Sequence, residues 1–164
     1  MKSQMRILQG LKLAAVLAVA LSMGACANKN PLDANGAIGG AAAPGSQQDF
    51  VVNVGDRVFF SSDQSDLSQQ AIATLSKQVQ WLQTYPRYTF TIEGNADERG
   101  TREYNLALGA RRAQTVRDFM VSHGINGSRI RTISYGNERP VALCNDESCW
   151  SQNRRAVTKL DASS

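Results

Sequence analysis

The apolar positions alternate between two periods. Ile72, Leu75, Val79 and Leu82 recur every three or four residues and predict an amphipathic helix over about 69–84 that ends at Tyr85-Pro86. Asp66 or Ser68, late in the turn SSDQSDLS, supplies its N-cap. Tyr88, Phe90 and Ile92 then alternate with Thr89, Thr91 and Glu93, the period of a strand that breaks at Gly94. After a polar loop, 95–100, the helical period returns near Thr101 and runs to about His123, where Gly124 stops it. Residues 130–135 read as a third strand turned by Gly136-Asn137, and 155–160 as the last. Residues 50–60 read as the first strand, in two parts around Gly55. The order βαβαββ predicts an α/β fold, a two-layer sandwich of two main helices packed on a small mixed sheet.

The second helix breaks its own pattern. Asn105, Leu108, Arg112, Val116 and Phe119 share one face, and Arg112 sits in the middle of that core-facing stripe. A buried guanidinium calls for an anionic partner, because an unpaired buried charge costs several kcal/mol. Asp97, in the loop leading into the helix, is the nearest candidate. Two readings stand: an internal Asp97–Arg112 ion pair, or a zwitterion site in which Asp97 takes a ligand ammonium and Arg112 its carboxylate. A strand end, a polar loop and a helix N-terminus form a common frame for a small-ligand site.

The N-terminal pattern is different. Residues 1–12 are basic and 13–21, LAAVLAVAL, are apolar but shorter than the roughly 20 residues of a membrane span, which fits a signal peptide. Met23-Gly24-Ala25-Cys26 follows, so cleavage is expected after Ala25, with a lipid on the Cys26 thiol. Acyl chains contribute about 0.8 kcal/mol per buried methylene, so a multiply acylated Cys26 anchors stably. Residues 28–48 are rich in Gly, Ala, Asn and Pro and read as part of a flexible tether, 26–49, with a root-mean-square span near ~25 Å. The domain itself is expected over 50–164.

Charge then changes meaning. The formal net charge is +4, but Lys2, Arg6 and Lys12 lie in the leader. Removing those three from 18 Lys+Arg leaves 15 against 14 Asp+Glu, a net +1. No basic run with interleaved aromatics remains, which argues against a nucleic-acid partner. The single histidine, His123, reads as a solvated helix C-terminal residue with no metal-ligand pattern near it. Cys144 and Cys149 enclose four polar residues. In an exported chain they are expected to form a disulfide, worth about 2 kcal/mol at best for so small a loop.

Several ordered segments carry a family resemblance: GNADERGTREYN, NLALGARRAQTV, Ile133-Ser134-Tyr135-Gly136 with Arg139-Pro140-Val141, Asn153-Arg154-Arg155-Ala156-Val157, and the earlier VFFSSDQSDL. Together they resemble OmpA-like peptidoglycan-binding domains, closely those of peptidoglycan-associated lipoproteins, over residues 51–160. The resemblance implies the same two-layer fold. It also implies that Asp97 and Arg112 grip the diaminopimelate of the peptidoglycan stem peptide. Asn105 and Leu108 are expected to orient that ligand, with Asp63 and Ser62 lining the cleft as weaker candidates. Ser61 and Asn95 depart from the family, where Asp and His are common, so a changed contact is expected there. The resemblance further implies an outer-membrane location favoured by Ala27, the periplasmic partner TolB, and membership of the Tol–Pal envelope system active at division. Arg154 or Arg155 could contact glycan or a protein, or be structurally paired. An enzyme is disfavoured: Asp97 and Glu98 are adjacent, whereas glycan hydrolysis needs carboxyls across the scissile bond, and no nucleophilic triad, catalytic Cys/His pair, zinc motif or cofactor motif is present. The remaining alternative is a protein-interaction module of the envelope with a structural Asp97–Arg112 pair.

Overall fold

A computed structural model describes residues 42–161. The expected signal peptide, Cys26 and most of the expected tether lie outside the described residues. Helix α1 (Gln47–Asp49) starts where the Ser46 hydroxyl accepts from the Asp49 N–H at 3.0 Å, and it runs on into a π-helical turn, Phe50–Val54. The first strand is therefore shorter than expected: only β1 (Arg57–Phe59) is extended. Phe50 is buried against Trp81, with ring centroids 4.9 Å apart, while Val51 and Val52 stay exposed. One inward residue followed by outward ones is not a strand's alternation. Gly55, at φ +90°, closes the turn by donating to the Phe50 carbonyl. Residues 45–49, expected in the tether, are fastened to the domain. The Gly45 carbonyl accepts from Arg87 at 2.7 Å and from the Tyr88 hydroxyl at 2.8 Å, and Asp49 accepts from the Trp81 indole at 2.8 Å.

Helix α2 (Gln69–Thr84) is capped by Ser68, not Asp66; its hydroxyl accepts from the Ala71 N–H at 3.1 Å. Leu75, Val79 and Leu82 are buried as the period requires, Ile72 is half-buried, and Trp81 completes the stripe. Strand β2 (Phe90–Asn95) does not break at Gly94 but continues through it. Helix α3 (Arg102–Ser122) is capped by Thr101, which accepts from the Tyr104 N–H at 3.2 Å. Strand β3 (Ile130–Gly136), the short helix α4 (Glu147–Asn153) and strand β4 (Arg155–Leu160) follow. Helix α4 was not expected. Its seven residues carry no apolar stripe long enough to announce it, and it is set instead by an Asp146 cap, accepting from Ser148 at 2.8 Å, and by the disulfide.

The sheet order is β1-β4-β2-β3, with β2 and β3 parallel and the other two pairings antiparallel. The two long helices and this mixed sheet form the two-layer α/β sandwich. Its core joins Leu75 and Leu82 of α2, Val116 and Met120 of α3, Phe90 and Ile92 of β2, and Leu160 of β4. The described residues make one compact unit around this core.

The docking of α3 depends on two glycines. A Cβ on Gly94 would overlap the Gly109 carbonyl oxygen, and one on Gly109 would overlap the Ser134 hydroxyl. The strand and helix backbones therefore meet at Gly94 and Gly109. That contact places Arg112, one turn further along α3, over Asn95 at the strand end.

Candidate functional site

Arg112 is fully buried, as its place in the apolar stripe demands. Its partner is not the expected carboxylate. Nε donates to the Gln64 carbonyl at 2.9 Å, and the two terminal nitrogens donate to the carbonyls of Asn95 at 2.8 Å and Ser61 at 3.1 Å. The guanidinium lies 5.1 Å from the centre of the Phe60 ring. Three main-chain oxygens at fixed positions satisfy three of its five N–H donors, which leaves two. Burial pushes its pKa down to about 10, so it stays charged at neutral pH. Among the described residues no carboxylate stands within ion-pair distance of Arg112. The Asp97–Arg112 pair expected as the structural alternative is not formed. The physical reason is that backbone dipoles at fixed positions can solvate a cation as a counter-ion would.

Asp97 is paired elsewhere. Its Oδ2 accepts from Arg99 at 2.6 Å and from Arg154 at 3.2 Å, and its Oδ1 accepts from the Arg99 Nε at 3.3 Å and the Arg99 main-chain N–H at 3.2 Å. Burial by itself would raise this carboxyl, but the hydrogen bonds from Arg99 and Arg154 hold it below the usual carboxylate range. A carboxyl held ionised in this way is suited to a cation and unsuited to act as a general acid.

Arg154 was not singled out as a partner of Asp97, and the structure makes it one. It is buried, its Nε donates to the Phe60 carbonyl at 3.0 Å, and it also pairs with Glu147. The Glu147 bond raises the Arg154 pKa and lowers that of Glu147. Arg155 is buried separately, donating to the carbonyls of Asn153 at 3.2 Å and Arg139 at 3.0 Å. Trp150, on α4, donates to Glu98 at 3.0 Å and receives the Arg99 guanidinium 4.3 Å above its ring. The sequence signal for Arg99 was its place two residues after Asp97. Arg154 stood out only within a motif, as a contact or a structurally paired arginine with no partner named, because the fold alone brings it and Trp150 to the loop.

The other expected site residues are placed as follows. The Ser62 hydroxyl accepts from Arg99 at 3.0 Å. Asp63 is exposed, in left-handed backbone at φ +55°, and its charge acts on both Arg112 and Arg99. Asn105 is buried and donates to the Arg99 carbonyl at 3.0 Å, so it secures the loop. Leu108 is buried in the core-facing stripe and presents no open methylene surface. Ser61 contributes its carbonyl to Arg112, so the side-chain departure there leaves that bond intact. The Asn95 amide donates to the Glu93 carbonyl at 3.1 Å, while its Oδ1 is buried without a partner. Cys144 and Cys149 are bridged, with Cα atoms 5.5 Å apart, which pins the start of α4. His123 is exposed at the end of α3, bonded to the Phe119 carbonyl at 2.7 Å. A hollow of about 410 Å³ beside the charged cluster is lined by Phe60, Ser61, Asp66, Ser151 and Arg154, among others. Among the described residues no group of His, Cys, Asp and Glu could hold a metal ion.

The fold is a two-layer α/β domain, two long helices on a mixed sheet, with a buried carboxylate and a separately buried guanidinium at a strand end. The model of the OmpA family matches residues 59–154. The peptidoglycan-associated lipoprotein of Rhizobium meliloti (strain 1021) is 63% identical over 148 residues, 88% of this chain and 84% of that protein. Its counterpart in Brucella melitensis biotype 1 is 61% identical over 153 residues, 91% of each. The crystal structure of the peptidoglycan-associated lipoprotein from Burkholderia pseudomallei superposes with a TM-score of 0.63 at 42% identity, covering 65% of this chain and 90% of that one. The chain belongs to the OmpA family, as a relative of its peptidoglycan-associated lipoproteins. That family is structural, not enzymatic.

Proposed function

We propose that this chain is an outer-membrane lipoprotein that tethers the membrane non-covalently to peptidoglycan by binding the diaminopimelate of the stem peptide. The observation that carries the reading is a pair of opposite buried charges, Asp97 and Arg112, that feel one another yet are not bonded to one another. A zwitterionic amino-acid end needs such a pair. Asp97 takes the ligand ammonium. Arg112 faces the ligand carboxylate with the two donors its carbonyl partners leave free. Asn105 holds the loop, and Ser62 and Asp63 line its rim. A stem peptide whose residue lacks the second amino-acid end would leave one of these charges unmatched and bind poorly.

The names of the relatives support the wall-binding and lipoprotein parts of this reading. In it, residues 1–25 are the signal peptide, Cys26 carries the lipid, the tether ends near Gly45, and the domain faces the periplasm. TolB and the other Tol proteins are the expected protein partners, in envelope integrity and division.

The test is co-sedimentation of the chain from Ala27 onward with purified diaminopimelate-type sacculi. Wild type and Asp97→Asn are compared, with free meso-diaminopimelate as competitor. Loss of binding in a variant that still unfolds cooperatively, and competition by the amino acid, are expected. Equal binding by both proteins would overturn the zwitterion site.

A further inference from the structure

The carboxylate that the ligand needs is already occupied. Two guanidinium groups sit on Asp97, and they are held very differently. Arg154 has a side chain only 6% exposed, fixed by Glu147 and the Phe60 carbonyl as well as by Asp97. The Arg99 side chain is 41% exposed and makes the shortest bond to Asp97, at 2.6 Å. Arg99 also has somewhere else to go: the Trp150 ring lies 4.3 Å beneath its guanidinium, and the Ser62 hydroxyl is 3.0 Å from its terminal nitrogen. Glu98 holds that ring in place from the same loop.

We infer that Arg99 is a displaceable internal cation that occupies the ligand-ammonium position on Asp97 and moves fully onto Trp150 when the ligand arrives. This rests on the reading of Asp97 as the ammonium partner. The exchange breaks the two Arg99 side-chain bonds to the carboxylate. The Arg99 main-chain N–H remains on Oδ1 at 3.2 Å, so the carboxylate keeps its orientation for the incoming cation. The pair is open to solvent on its Arg99 side, and Trp150 and water take up the released guanidinium, so its loss is a modest barrier. It is still enough to set selectivity. A simple amine gains only what Arg99 gives up, whereas a ligand with a carboxylate for Arg112 gains the second contact too.

Isothermal titration of the chain from Ala27 onward with meso-diaminopimelate tests this, using wild type, Arg99→Ala, Arg99→Lys and Asp97→Asn. Arg99→Ala is expected to bind about fivefold tighter than wild type, the scale of one ion pair open to solvent on one side, with Arg99→Lys in between. In wild type the Arg99 Nε–Hε NMR resonance is expected to shift on ligand addition, a readout that does not depend on any variant folding. Weaker or equal binding by Arg99→Ala, while Asp97→Asn has lost binding, would make Arg99 a ligand contact or a bystander and overturn this inference alone. An unmoved Nε–Hε resonance at saturation would overturn it as well. Unchanged binding by Asp97→Asn would remove the zwitterion site itself, and this inference with it.

Discussion

Arg112 and Asp97 are both buried charges, a turn of helix and a strand end apart, and the chain handles them in opposite ways. Arg112 is solvated by three main-chain carbonyls, from Ser61, Gln64 and Asn95, which move only if the backbone moves. Asp97 is neutralised by side chains, one of them exposed and free to swing. A charge bonded to the backbone is part of the fold. A charge bonded to a mobile side chain can be handed to a ligand. The proposed zwitterion site would therefore have one fixed pole and one exchangeable pole.

Truncating each pole should separate them most widely. Arg112→Met strips donors from three carbonyls, each worth ~1–3 kcal/mol when left unsatisfied, so a loss of at least about 3 kcal/mol is expected in urea unfolding. Asp97→Asn keeps the shape of the loop and should cost no more than ~1–2 kcal/mol, while abolishing sacculus binding. Equal stability losses in the two variants would erase the distinction between the poles.

The fixed pole can also be moved without touching it. Gly94→Ala places a methyl against the Gly109 carbonyl and must push α3 away from the sheet. About 1–3 kcal/mol of overpacking strain is expected. The Arg112 Nε–Hε resonance should shift while that of Arg99 stays. A shift in both would mean that the two poles are mechanically coupled.

Much of this was legible in the sequence, and what was not has physical reasons. The long helices announced themselves through period and cap, with Ser68 and Thr101 in place. Arg112 showed itself as a charge where the period demanded an apolar residue, and Asp97 as an acid in the loop leading into the same helix. What could not be read was how each charge is satisfied. Main-chain carbonyls have no letter in the sequence, so the partners of Arg112 were invisible. Arg154 lies 57 residues from Asp97 and reaches it only through the pairing of β4 with β2. Residues 50–54 misled because Phe, Val and Val suit a strand in composition, whereas only Phe50 finds a buried seat, against Trp81. Gly94 read as a break because glycine usually ends strands, and here it is a contact point between layers.

The exchangeable pole has its own support, and that can be loosened. The Cys144–Cys149 bridge pins α4, which carries Glu147 and Trp150 and leads into Arg154. Replacing both cysteines by serine should cost up to about 2 kcal/mol by the chain-entropy account. The loss should appear on the Asp97 side of the site, as a changed Arg99 resonance and weaker sacculus binding, with the Arg112 resonance unmoved.

The smallest expected effect is the one acid reveals. The Asp97 carboxyl sits below the usual carboxylate range because the bonds from Arg99 and Arg154 outweigh its burial, with Arg112 adding a further attraction and Glu147 opposing it. A depressed carboxyl contributes stability above its unfolded pKa, near ~3.9, and loses that contribution as pH falls through the folded value. Wild type should therefore exceed Asp97→Asn in melting temperature by a constant margin from pH 7 to about pH 5. The margin should shrink only beneath about pH 4 and close at lower pH. Glu147 is held low by Arg154 in both proteins, and its repulsion of Asp97 is a minor part of the difference. If the margin closed near pH 6 instead, burial would be dominating the arginines, Asp97 would carry a proton at mildly acidic pH, and it could not serve as the exchangeable pole for a ligand ammonium.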